Sequence, residues 1–151
     1  MKKTLLKSSL FLFSILFTNS IFSQSNDWEL YYSDNEIKIE YTYQNCEDID
    51  GFNSEYVLFE ITNTTNQNIT VKWQEQLWID DNCINCELNS PEFRKEIQIR
   101  ANHTTSGDCK TSNNLRIFSK FTERLEDMPG VNRIVALSKF ELKNLTITYN
   151  D

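Results

Sequence analysis

Four cysteines are the residues best placed to do chemistry: Cys46, Cys109 and the pair Cys83 and Cys86 in the stretch WIDDNCINCEL, directly behind Asp80 and Asp81. A C-x-x-C spacing serves a redox dithiol, a metal knuckle or a structural bridge, and by itself selects none of them. A redox dithiol depends on a helix N-terminus that lowers the thiol pKa. Here the motif follows a long apolar-alternating run and leads into ELNSPEF, where Pro91 interrupts any helix starting at once. Four thiolates would suit zinc, but the second C-x-x-C of a zinc knuckle is absent. The reading that remains is structural, with thiol-redox or metal-dependent work at Cys83 and Cys86 as the lesser alternative. An even cysteine count in a small exported domain predicts two disulfides. Of the three pairings, the chain order favours Cys46 with one cysteine of CINC and Cys109 with the other, ahead of Cys83–Cys86 with Cys46–Cys109.

Export is expected from the N-terminus. Lys2, Lys3 and Lys7 precede an apolar run from Leu10 to Phe17 and then small polar residues, the order of a secretory signal peptide spanning 1–23. The run is too short to span a bilayer, so no membrane insertion of the mature chain is expected, and the destination is the periplasm or the cell exterior. The 151-residue chain has 15 basic and 22 acidic residues; removing residues 1–23, which hold three lysines and no acid, leaves 12 against 22, a net charge of -10. That balance argues against nucleic acid, which demands clustered Lys and Arg.

Other candidate sites are weaker. Asp48, Asp50, Asn53 and Glu55 surround Gly51 in an acidic loop with oxygen ligands at alternate positions, a weak calcium candidate. The EF-hand pattern fails there, because Cys46 and Val57 fall where an aspartate and the bidentate glutamate belong. The single histidine, His103, lies in a polar loop with no orienting acid, and no G-x-S-x-G, H-E-x-x-H or P-loop pattern occurs. A non-enzymatic protein without cofactor is the expectation. Four N-x-[ST] sequons, at Asn63, Asn68, Asn102 and Asn144, are the chance yield of 17 asparagines and read as turns and strand edges.

The elements that must position these residues are strands. Ile37, Ile39, Tyr41 and Tyr43 alternate with polar residues; Val57, Phe59 and Ile61 do the same; Ile69, Val71, Trp73, Leu77 and Ile79 share a face interrupted only by Glu75. Glu75 is read as sitting at a frayed or partly open position. The NTTNQN segment between the last two runs reads as a hairpin turn. Further alternation occurs around Ile97, Ile117 and Leu145, with a change of parity at Lys143 and Asn144 that predicts a bulge. Thr122 is placed to cap one helical turn before Pro129 and Gly130. Six or seven strands and almost no helix predict an all-β, two-layer antiparallel β-sandwich, immunoglobulin-like in the loose sense and disulfide-stapled, with a small β-barrel as alternative. Residues 24–35 are expected to be a lead-in and 36–151 the single domain.

Function then falls to the surface. Trp78 and Tyr56 lie off the presumed core face, and with Asp80 and Asp81 form the candidate binding set. The expected activity is binding a macromolecule, an envelope protein or a polysaccharide. The competing class is an inhibitor or immunity-type protein that blocks an enzyme with its loops.

Overall fold

The structure, a computed structural model, describes residues 28–47, 52–88, 90–111 and 114–150. The predicted signal peptide therefore lies outside the described residues, as do Asp48, Asp50 and Gly51. In chain order the strands are β1 (Glu29–Ser33), β2 (Ile37–Cys46), β3 (Ser54–Asn63), β4 (Asn68–Ile79), β5 (Asn82–Cys83), β6 (Arg94–Ile99), β7 (Thr104–Ser106), β8 (Arg116–Phe121) and β9 (Leu137–Asn150). All pairings are antiparallel. Sheet A runs β1-β2-β3 with β7 and β8 both on the far side of β3; in sheet B, β4 is flanked by β9 on one side and by β6 and β5 on the other. The result is a two-layer sandwich and not a closed barrel.

The alternation read from the sequence places the core. Ile37 and Ile39, then Val57, Phe59 and Ile61, then Ile69, Val71 and Trp73 are buried between the sheets, joined by Ile99, Leu115, Ile117, Leu137 and Leu142. Each such side chain contributes about 1.5–3 kcal/mol by leaving water. Two departures from expectation are topological. Nine strands form, because β5 and β7 are too short to show a period and β1 lies within the segment read as a lead-in. A bulge between Leu30 and Tyr32 turns Tyr31 inward, where it stacks on Phe140 at 5.7 Å, and its hydroxyl accepts the Leu142 N–H at 2.7 Å.

The second departure is the NTTNQN segment, which is a corner between the sheets rather than a hairpin: β3 belongs to sheet A and β4 to sheet B. Asn63 fixes that corner from a fully buried position. Its amide nitrogen donates to the carbonyls of Gln67, Ile99 and Arg100, and its oxygen accepts from the Thr65 backbone N–H and hydroxyl. The predicted bulge in β9 is present, with register shifting opposite Lys72 and Gln74 and Asn144 at φ 54°. The expected helical turn is present, as a 3-10 turn at Leu125–Asp127, but its N-cap is Arg124 rather than Thr122, and a second 3-10 turn forms at Pro91–Phe93.

A second apolar cluster lies on part of the outer face of sheet A: Cys46, Tyr56 and Leu58, packed by Trp28, Cys109 and Phe118. The connection from β7 to β8 folds over this cluster, and Gly107 permits the approach. A Cβ on Gly107 would stand 2.2 Å from the Leu115 carbonyl oxygen. Gly107→Ala is therefore expected to cost about 2 kcal/mol of stability through backbone displacement, read as a lower denaturation midpoint. An unchanged midpoint would mean that the β7–β8 connection yields freely.

Candidate functional site

The CINC motif sits on a hairpin. Asp80 and Asp81 form its two-residue turn with φ of 46° and 67°, a left-handed pair that Asp tolerates better than most residues. Trp78 faces Cys83 across β4 and β5. Beyond β5 the chain doubles back, and Cys83 is bonded to Cys86; the other bridge is Cys46–Cys109. The favoured pairing is thus overturned in favour of the second. Cys46 ends β2 in sheet A and CINC follows β4 in sheet B, so chain direction alone did not bring them together, whereas the β7–β8 connection carries Cys109 over the end of β2. No cysteine is free.

Asn85, between the two bridged cysteines, is buried and clamps the loop to β4. Its nitrogen donates to the Glu75 carbonyl at 2.9 Å, and its oxygen accepts the Leu77 N–H at 2.8 Å. The motif is therefore a staple held by a side chain that sequence reasoning passed over.

Of the two acids beside it, Asp80 has its carboxylate committed to structure and Asp81 is tied down by its backbone. Asp80 accepts the Ala136 N–H at 3.1 Å and meets Arg133 at 3.3 Å, and the Asp81 N–H donates to the Ser138 hydroxyl. Of the calcium candidates within the described residues, Asn53 donates to Glu123 at 2.6 Å, and Glu55 engages Ser119 and Lys120. Among the described residues no group of three His, Cys, Asp or Glu side chains is arranged to hold a metal ion. His103 is exposed, with Nδ1 2.9 Å from the Ala101 carbonyl.

Two further expectations need correction. Tyr56 is buried, because it belongs to the second cluster on part of sheet A's outer face, with Arg116 over its ring at 4.8 Å. It is not a surface anchor. Glu75 is not at an open position but buried, 3.8 Å from Lys95. Burial pushes its carboxyl up from 4.5 to about 7, against the opposing pull of Lys95. Its Oε1 and the Trp73 Nε1 are the buried side-chain polar atoms without a partner among the described residues.

Trp78 is half-buried, with the Lys139 ammonium 4.4 Å from its ring centroid. It heads a polar ladder on the outer face of sheet B. Because Ile69, Val71, Trp73 and Glu75 point into the sandwich, Lys72, Gln74, Gln76 and Trp78 point out. Register sets Glu96 and Thr146 beside Lys72, Arg94 and Lys143 beside Gln74, Glu141 beside Gln76 and Lys139 beside Trp78. At the bulge an open hollow of about 520 Å³ is lined by Lys72, Gln74, Arg94, Lys95, Glu96 and Asn144. A second, of about 390 Å³, is lined by Asn68, Gln98, Arg100 and Asn150. The residue types were visible in the sequence; their assembly into one face needed the register.

Among the described residues no helix is long and apolar enough to cross a membrane. No protein-family model matches the chain, and no curated protein or solved structure matches it.

Proposed function

We propose that the protein is exported to the periplasm or beyond the cell, performs no catalysis, and binds a macromolecular partner, an envelope protein or polysaccharide, through the outer face of sheet B. The observation that carries this reading is that none of the described residues covers that face. Around Tyr56 and Leu58 the outer face of sheet A is roofed by the connection that carries Cys109, whereas Lys72, Arg94, Glu96, Gln98, Lys139 and Lys143 on sheet B stand in solvent. Two disulfides and the signal-like N-terminus support export.

The test is retention of an identified envelope component on the immobilised protein. Trp78→Ala combined with Gln74→Ala is expected to reduce retention at least tenfold while leaving the melting temperature within a few degrees. Undiminished retention by that variant would remove sheet B as the site.

A specific observation favours the inhibitor reading as second. Ile84 and Leu88, in and just beyond the bridged loop, are about half exposed, and a rigid tip with apolar side chains suits insertion into an enzyme cleft. Stoichiometric loss of a hydrolase activity on addition of the protein, reversed by Ile84→Asp, would put this reading first.

A further inference from the structure

Charge is distributed unevenly over the two sheets of this acidic chain. Lys72, Arg94, Lys139 and Lys143 project from the outer face of sheet B with only Glu96 and Glu141 among them, a local balance of four positive to two negative charges. The chain as a whole carries -7. The acids on this face are also shared out: Glu96 meets Lys72 at 2.8 Å, and Glu141 lies between Lys139 and Lys143, which hold its carboxyl below the ordinary carboxylate range. Exposed pairs of this kind contribute little to stability, so an incoming anion competes with them at small cost.

Between the lysines stand amides. Gln76 on β4 and Gln98 on β6 each offer a donor pair and an acceptor, and Gln74, one N–H of which donates to the Leu88 carbonyl at 3.2 Å, has a second N–H and an oxygen, the combination that matches a hydroxyl on the same ligand. The two hollows lie along this one strand, whose 12 residues extend about 40 Å, so the face accommodates a chain rather than a single small molecule.

We infer that the outer face of sheet B binds an acidic polysaccharide, its carboxylates or sulfates meeting Lys72, Arg94 and Lys143 and its hydroxyls meeting the glutamines. The inference rests on the reading of this face as the binding site and names its ligand class. A nucleic acid fits less well: single strands bind on aromatic platforms that stack successive bases, and among the described residues the paired strands of this face offer one outward aromatic, Trp78. A protein partner would require an apolar centre, and apart from Trp78 at one end this face presents polar side chains.

Isothermal titration of the exported protein with hexagalacturonate tests it, alongside the methyl-esterified hexamer and a single-stranded oligonucleotide. The expected result is saturable binding of the acid form, at least tenfold weaker for the ester and weakened by raising salt from 50 to 500 mM. Lys72→Gln with Arg94→Gln should lose at least tenfold, whereas Lys38→Gln, on the outer face of sheet A, should lose nothing. Equal binding of acid and ester, tighter binding of the oligonucleotide, or a double variant that binds like the native protein would overturn the assignment. The acid-against-ester comparison needs no variant and survives any folding defect. Should hexagalacturonate fail while an envelope component is still released by the Trp78 and Gln74 substitutions, the ligand class falls and the binding face stands; should both fail, both fall.

Discussion

Glu75→Gln is expected to raise the unfolding free energy at pH 8 by on the order of 3 kcal/mol and to leave it nearly unchanged at pH 4. Glu75 is buried on β4, and burial lifts its carboxyl from 4.5 to about 7, with Lys95 at 3.8 Å offsetting only part of the desolvation. The folded protein therefore holds this proton more tightly than the unfolded chain. The stability that the neutral acid supplies is present in full below pH 4.5 and is lost as the pH rises to about 7, where the buried group finally ionises. Glutamine keeps the shape and stays neutral, so its stability should not fall across that window. Urea denaturation at pH 4, 6 and 8 measures the difference directly. Parallel pH curves for the two proteins would show that Glu75 is solvated or paired when charged.

Removing the Cys46–Cys109 bridge, as Cys46→Ala with Cys109→Ala, is expected to cost about 4 kcal/mol, against about 2 kcal/mol for Cys83→Ala with Cys86→Ala. The first bridge joins residues 63 apart and the second residues 3 apart, so they restrict the unfolded chain very differently. The larger figure is a substantial share of a domain's total stability. It also has a local consequence, because the Cys46–Cys109 bridge holds the roof over Tyr56 and Leu58. Loss of the short bridge leaves Asn85 still bonded to Glu75 and Leu77. Denaturant midpoints of the two double variants, measured side by side, check the ranking. Equal losses would mean that the 107–111 connection is held by contacts other than its bridge. Thiol counting on the purified protein should find all four sulfurs blocked before reduction.

The parts of this fold that burial alone dictates were legible in the sequence. Alternation in 37–43, 57–61 and 69–79 records which side chains leave water, and the slip of parity at Asn144 records a bulge, because one extra residue reverses every face that follows. What alternation does not record is which sheet a strand joins. Asn63 looks like any turn asparagine until the Ile99 and Arg100 carbonyls it binds, at and just past the end of β6, are known, and the cysteine pairing followed from the same missing information. Local irregularity hid β1, where the bulge leaves Leu30 and Tyr32 exposed and turns Tyr31 inward. At the site, Trp78 was legible as an outward aromatic, whereas Tyr56 was misread because nothing local shows that a loop 50 residues away covers it. Glu75 was correctly placed on the inward face, but the depth of its burial depends on β6 and β9, far along the chain.

β9 is the longest strand, and among the described residues only β4 pairs with it. An edge of that length is a template on which further chains can add strand by strand. Two features interrupt it: the kink at Asn144, and the Tyr31 hydroxyl that occupies the Leu142 N–H. The second is supplied by β1, a five-residue strand near the start of the described residues. Proteolytic trimming past Ser33 would thus do more than shorten the chain. It would strip the guard from the open edge and turn a discrete molecule into a seed for fibrous assembly.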